Sequence, residues 1–139
     1  MKTSVKSVRV DERTVKEIEQ LRRGKSKTFS SLAGELLSEA AKMRRCPGIV
    51  FGDGPSGRRA RVEGTGIEVW EIIASYLALK EDAKRLRKAY SWLSDRQILA
   101  ALGYFRAYPE EIKNLVGANR SEDGETIDEQ LPFARRGRR

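Results

Sequence analysis

Histidine is absent from this 139-residue chain, and cysteine occurs once, at Cys46. Without histidine there is no Ser-His-Asp triad, no Cys-His nucleophile and no histidine-ligated metal. A single cysteine allows neither an intrachain disulfide nor a Cys-clustered zinc or iron–sulfur site. Aromatic residues are scarce at 7%. No apolar run approaches the roughly 18 residues that a spanning helix needs. The opening MKTSVKSVRV has no apolar core of signal-peptide length. Acidic pairs such as Glu81-Asp82 and Glu110-Glu111 sit at expected helix starts, where the helix dipole explains them. The expectation is a cytoplasmic, non-enzymatic protein with no metal and no cofactor.

What the chain does have is positive charge, 28 Lys+Arg against 20 Asp+Glu, a net of +8. That excess is uneven. Residues 1–46 carry twelve basic and six acidic side chains, residues 47–116 eleven and nine, and residues 117–139 five of each. Breakers divide the chain in the same places. Pro47-Gly48 closes the first block, the Gly52–Gly57 stretch marks a turn, and Gly117 begins a polar run. Three parts are expected: a basic module (1–46), a small middle domain (47–116) and a flexible tail (117–139), poor in apolar residues.

In the first part, Ser4–Val10 is rich in valine, with Val8 and Val10 on one parity and Ser7 and Arg9 on the other. The alternation is imperfect, since Val5 falls with the polar set and Lys6 with the apolar one. Asp11 is a good N-cap for a helix with the stripe Val15, Ile18, Leu21. Gly24 ends it. Thr28 or Ser30 can cap a second helix, striped by Phe29, Leu32, Ala33, Leu36, Leu37, Ala40 and Met43. One strand and two helices are too few to bury these stripes alone, and a lone strand leaves its backbone groups unpaired. Pairing two copies removes both problems. A two-stranded ribbon fits the DNA major groove, where Ser7 and Arg9 would meet base edges and Val5 a thymine methyl. The start of the second helix, near Thr28 and Ser30, would offer amides to a phosphate. Lys25 and Lys27 add charge beside it. A plain helical hairpin with a solvated basic face is the alternative.

The order SVRVDERTVKEIEQL, a Gly-containing turn, then TFSSLAGELLSEAAK resembles a ribbon–helix–helix DNA-binding module. The resemblance covers about the first 45 residues. It implies an obligate homodimer (or a higher oligomer), base reading by the strand and phosphate clamping by the second helix.

In the middle, Ile49–Phe51 and Ala60–Val62 flank the Gly/Pro/Ser turn as a hairpin, with Arg58, Arg59 and Arg61 on its second arm. Gly64-Thr65-Gly66 turns into an apolar helix through Ile67, Val69, Ile72, Ile73, Tyr76 and Leu77. The following Gly-Lys-Ser/Thr order of a phosphate loop is missing. Asp82–Tyr90 reads as a basic helix with Lys84, Arg85, Arg87 and Lys88. Ser94 and Gln97 have capping-box spacing, and Pro109-Glu110-Glu111 suits the first turn of a last short helix. Trp70, Trp92, Tyr104 and Tyr108 are expected to fill the core.

The stretch CPGIVFGDGPSGRRARVEGTGIEVWEIIASYL, followed by SWLSDRQILAALGYFRAYPEEIKNLV, resembles the domain-of-unknown-function family numbered four-three-three. Its GTGIEVWEI turn-helix, L-S-x-x-Q-I-x-x-A-L cap-helix and Y-P-E-E-I ending carry the likeness. The resemblance implies a hairpin followed by a helix-turn-helix-like bundle. It also implies an antitoxin of the VapB type, because members are often encoded beside a PIN-like ribonuclease toxin. Many members have Gly-Thr-Arg where this chain has Gly64-Thr65-Gly66, which puts any role of that arginine in doubt here.

The tail joins an acidic stretch to Leu131-Pro132-Phe133 and Arg135-Arg136-Gly137-Arg138-Arg139. Arginines can pair bidentately with the carboxylates that hold metal in a PIN-type nuclease. Leu131, Phe133, Arg135, Arg136 and Arg138 are therefore candidate toxin-binding residues. A tail that merely adds DNA affinity, or a bundle that itself holds the toxin, are the alternatives. The fold expected is mostly α with short β: a ribbon–helix–helix homodimer module, a hairpin and a small bundle. The function expected is an antitoxin that represses its own operon, binding double-stranded operator DNA and a toxin protein but no membrane. A transcriptional regulator or architectural DNA-binding protein without a toxin is the alternative.

Overall fold

The computed structural model describes residues 2–123, with side chains through residue 120. The chain divides into two units, Met1–Lys42 and a second that begins at Met43.

In the first unit, residues 2–10 form no strand within the chain. The valine-rich segment has no intrachain edge to pair with, so its ladder donors and acceptors stay open. Helix α1 (Glu12–Arg22) starts where expected, because Asp11 Oδ1 accepts the amide of Thr14 at 2.8 Å and Oδ2 its hydroxyl at 2.9 Å. Those bonds to the ionised form hold the Asp11 carboxyl below its ordinary value. Gly24, at φ +76°, follows the helix end. Helix α2 (Phe29–Arg45) begins after Thr28, whose hydroxyl oxygen accepts the Ser31 amide at 3.0 Å. Of the two apolar stripes, only Ile18 and Leu32 are buried within this unit, while Leu21 and Leu37 are exposed.

The second unit holds the core. Strands β1 (Ile49–Gly54) and β2 (Gly57–Val62) pair antiparallel, with Ile49 opposite Val62 and Phe51 opposite Ala60. That face is apolar and packs inward. The other face carries Arg59 and Arg61. Gly64 and Gly66, at φ +79° and +74°, let the chain reverse around Thr65. The Thr65 hydroxyl donates to Val62 O at 2.8 Å and accepts the Ile67 amide at 3.0 Å.

Helix α3 (Val69–Ala78) is the central element, and Val69, Ile72, Ile73, Ala74 and Ser75 are all buried. The Ser75 and Tyr90 hydroxyls lie 2.8 Å apart and tie α3 to the end of α4 (Ala83–Ala89), whose Leu86 fills the core. Helix α5 (Asp95–Ala107) has the expected capping box. Ser94 Oγ accepts the Gln97 amide at 3.1 Å, and Gln97 Oε1 accepts the Ser94 amide at 2.9 Å.

Helix α6 starts at Pro109 as expected but runs to Asp123, so Gly117 lies inside a helix and does not open the tail. Ile112 and Val116 dock α6 into the core, and that anchorage carries the polar turn after them as helix. One aromatic expectation also changes. Tyr104 is fully buried, and Trp70 and Tyr108 pack on the core, but Trp92 is 65% exposed in the α4–α5 turn. No described helix is long and apolar enough to cross a membrane.

Candidate nucleic-acid interface

The residues expected to touch DNA in the first unit all face solvent. Val5 is 98% exposed, and Ser7, Arg9, Thr28 and Ser30 are exposed as well. The start of α2 is accessible, with Thr28, Ser30 and Ser31 around it. This is the arrangement in which a helix N-terminus can receive a phosphate. Lys25 is exposed. Lys27 is bound, its ammonium 2.8 Å from Glu35 Oε2, which fixes it along the first turns of α2.

The hairpin arginines are turned to the hairpin itself. Arg58 pairs with Asp53 at 3.4 Å. Arg59 donates to Ser56 O at 2.9 Å and to Arg58 O at 3.1 Å. Arg61 donates to Asp53 O at 2.8 Å, and its Nε is buried with no hydrogen-bond partner among the described residues. A Cβ on Gly52 would lie 2.8 Å from that guanidinium, so glycine there leaves Arg61 its path across the strand. These three cations brace the turn, and a DNA contact would have to compete with those bonds. On α4, Lys84 and Lys88 are exposed, while Arg87 Nε is 3.3 Å from Asp95 across the turn to α5. Leu131, Phe133, Arg135, Arg136 and Arg138 lie outside the described residues.

A second polar cluster forms where β2 meets α3. Glu71 accepts the Glu68 amide at 3.3 Å, and Glu68 Oε2 accepts the Trp70 indole N–H at 2.6 Å. Burial, with the nearby Glu68 charge, raises the Glu71 carboxyl above its ordinary value. Burial likewise pushes the Cys46 thiol up, which suits a structural rather than a reactive sulfur. Among the described residues no cluster of three or more metal-ligating side chains exists.

Sequence reasoning passed over Arg96 and Arg106. Helix α5 places them, with Leu99 and Gly103 between, on one side of its cylinder, and the helical period of that segment is the signal that finds them.

The class this geometry defines is a mostly helical chain of six helices and one antiparallel two-stranded hairpin among the described residues. Residues 49–105 match the family described as Protein of unknown function (DUF433). A crystal structure of a DUF433 member from Anabaena variabilis is similar, with 23% identity and a TM-score of 0.43 over 78% of this chain and 99% of that one. No curated protein matches the chain.

Proposed function

We propose that this chain is a non-enzymatic antitoxin: a homodimer that binds its own operator through the first unit and silences a PIN-like ribonuclease through the rest. The observation that carries the DNA half is the state of residues 2–10. They are unpaired within the chain, bear Lys2, Lys6 and Arg9, and lead directly into a capped helix. Two such segments side by side form a ribbon of the width that the major groove accepts. The toxin half rests on the likeness of the second unit to its family and on the arginine-rich residues 135–139.

A DNA-organising role without a toxin draws support from α4. Lys84, Arg85 and Lys88 are exposed there, with no carboxylate partner among the described residues. Footprinting of the DNA upstream of the gene separates the two readings. An operator gives a protected palindromic or repeated site, with each wrong base pair costing about 1–3 kcal/mol. An architectural protein gives uniform coverage whose log affinity falls by about 0.9 per log unit of salt for every phosphate neutralised. Co-expression with the adjacent open reading frame tests the toxin half, which fails if no complex forms and growth is not rescued.

A further inference from the structure

Where α2 ends and α5 passes, the second unit has an open groove of about 490 Å³ lined by Arg45, Arg96, Leu99, Ala100, Gly103 and Arg106 among others. None of its lining residues is acidic. Arg45 is held over the Tyr108 ring, its guanidinium carbon 5.4 Å from the centroid. Arg96 and Arg106 have neither an ion pair nor a hydrogen bond among the described residues. Nearby carboxylates are engaged elsewhere, Asp95 by Arg87 and Glu111 by Tyr104. Glu81 shares an adjacent hollow with Arg106 but makes no ion pair with it. Leu99 is 57% exposed, and a Cβ on Gly103 would meet nothing within 4 Å. The groove therefore sets arginines at both ends of an open apolar floor.

We infer that this groove docks an acidic peptide segment of a partner protein, with an apolar side chain seated between two carboxylates. Arginine pairs bidentately with carboxylate and phosphate alike, so charge by itself admits a peptide or a nucleic acid. Shape and lining decide between them. A DNA duplex takes a protruding element into its major groove, whereas this surface is concave. Single-stranded nucleic acid is held by stacking its bases on aromatic faces. No aromatic residue lines the groove, and the Tyr108 ring beside it is taken up by Arg45 and, at 4.9 Å, by Tyr104. An apolar floor rewards a partner that brings an apolar side chain, which a phosphate backbone lacks. Arg96 and Arg106 are ten residues apart, about 15 Å along α5 at about 1.5 Å per residue. An extended peptide covers that length in about four to five residues. Two carboxylates at that separation meet the two ends, and the residue between them covers Leu99 and Gly103. The inference does not rest on the antitoxin reading, because any protein presenting such a segment satisfies it.

Panning a displayed library of random dodecapeptides on the full chain tests this. The selected peptides are expected to share two carboxylates about four to five residues apart with an apolar residue between them. Fluorescence anisotropy with the commonest selected peptide, synthesised and labelled, then locates the site. Arg96→Glu/Arg106→Glu should weaken its binding at least about tenfold. Gly103→Leu fills the floor without changing charge and should weaken binding as well, with the thermal melt preserved or raised. Lys113→Glu/Arg120→Glu makes the same change of net charge on exposed positions of α6 and should alter binding by less than about twofold. Selection of peptides without that acidic pattern overturns the inference. So does binding that Gly103→Leu leaves intact, or that the α6 reversal weakens as much as the groove reversal does. Because no toxin enters this experiment, a failed co-expression sinks the antitoxin reading and leaves the groove result standing.

Discussion

The Tyr104 hydroxyl donates a 2.6 Å hydrogen bond to Glu111 Oε2, joining the core face of α5 to the first turn of α6 across the Tyr108 link. Tyr104 has no exposed surface, and Glu111 sits where the positive end of α6 favours a carboxylate. The bond therefore fixes the angle at which α6 leaves α5. Burial first, then the bond to Glu111 and its charge, raises the phenol far above its ordinary value of 10.0.

Tyr104→Phe removes this bond while keeping the ring. The expected loss is about 1–2 kcal/mol, read as a lower melting temperature. The pH dependence has a definite sign. A phenol raised in the folded state contributes stability that is whole below pH 10.0 and drains away as pH rises beyond it. The wild type should lose stability in that alkaline range, and the Phe variant should lose less of it. Parallel curves would mean another group controls the alkaline limb.

Glu71→Gln should act in the opposite sense to most buried substitutions. The glutamine carbonyl can still accept the Glu68 amide, but it carries no charge to desolvate. Because the carboxyl is raised from 4.5, wild-type stability is whole below that value and declines as the group ionises. The variant should match the wild type in acid and melt higher at neutral pH. Thermal melts at several pH values check this, and a variant that melts lower at neutral pH would show that Arg61 depends on the Glu71 charge.

Gly48 sits at φ +89°, and an added Cβ would lie 3.0 Å from the Cβ of Ala100 on α5. Gly48→Ala is expected to cost at least about 1–2 kcal/mol from the left-handed backbone alone. The approach to α5 adds to that. Gly24→Ala has the same kind of backbone but open space, so it should cost less.

Leu37 is 62% exposed on α2, and the single chain gives it nothing to pack on. Leu37→Asp should leave helix content unchanged while weakening self-association at least about tenfold, because burying each leucine is worth about 1.5–3 kcal/mol. Sedimentation at several concentrations measures it. Self-association that persists unchanged would move the dimer contact off this helix face.

Arg9→Ala should lower operator affinity by about 1–3 kcal/mol if the side chain reads a base edge. Solvent surrounds Arg9, so the variant should fold as the wild type does. Titrations of both proteins against the footprinted site decide it, and equal affinity would show that the segment does not read DNA.

Much of the fold is local, and so it is legible residue by residue. Asp11, Thr28, Ser94 and Pro109 mark helix starts because each meets orphan amides, or lacks one, within three residues of itself. The hairpin and the Gly64–Gly66 reversal are equally local, set by turn chemistry. The segment before Asp11 is different. Its alternation says which side chains would share a face, but a strand exists only against a partner edge, and a single chain offers none.

Tertiary packing decided the rest. It exposed Trp92 in a turn where its chemistry suggested core, and it carried α6 six residues past Gly117 because Ile112 and Val116 anchor it. It spent Arg58, Arg59 and Arg61 on the carbonyls and carboxylate of their own hairpin. It also set Arg45 beside Arg96 and Arg106, which lie far along the chain from it. Composition determined that the protein is basic and has no histidine chemistry. Which of its cations remain open to a partner depended on where the backbone carbonyls and carboxylates of other elements came to rest, because a guanidinium is fixed by the nearest acceptor that folding brings to it.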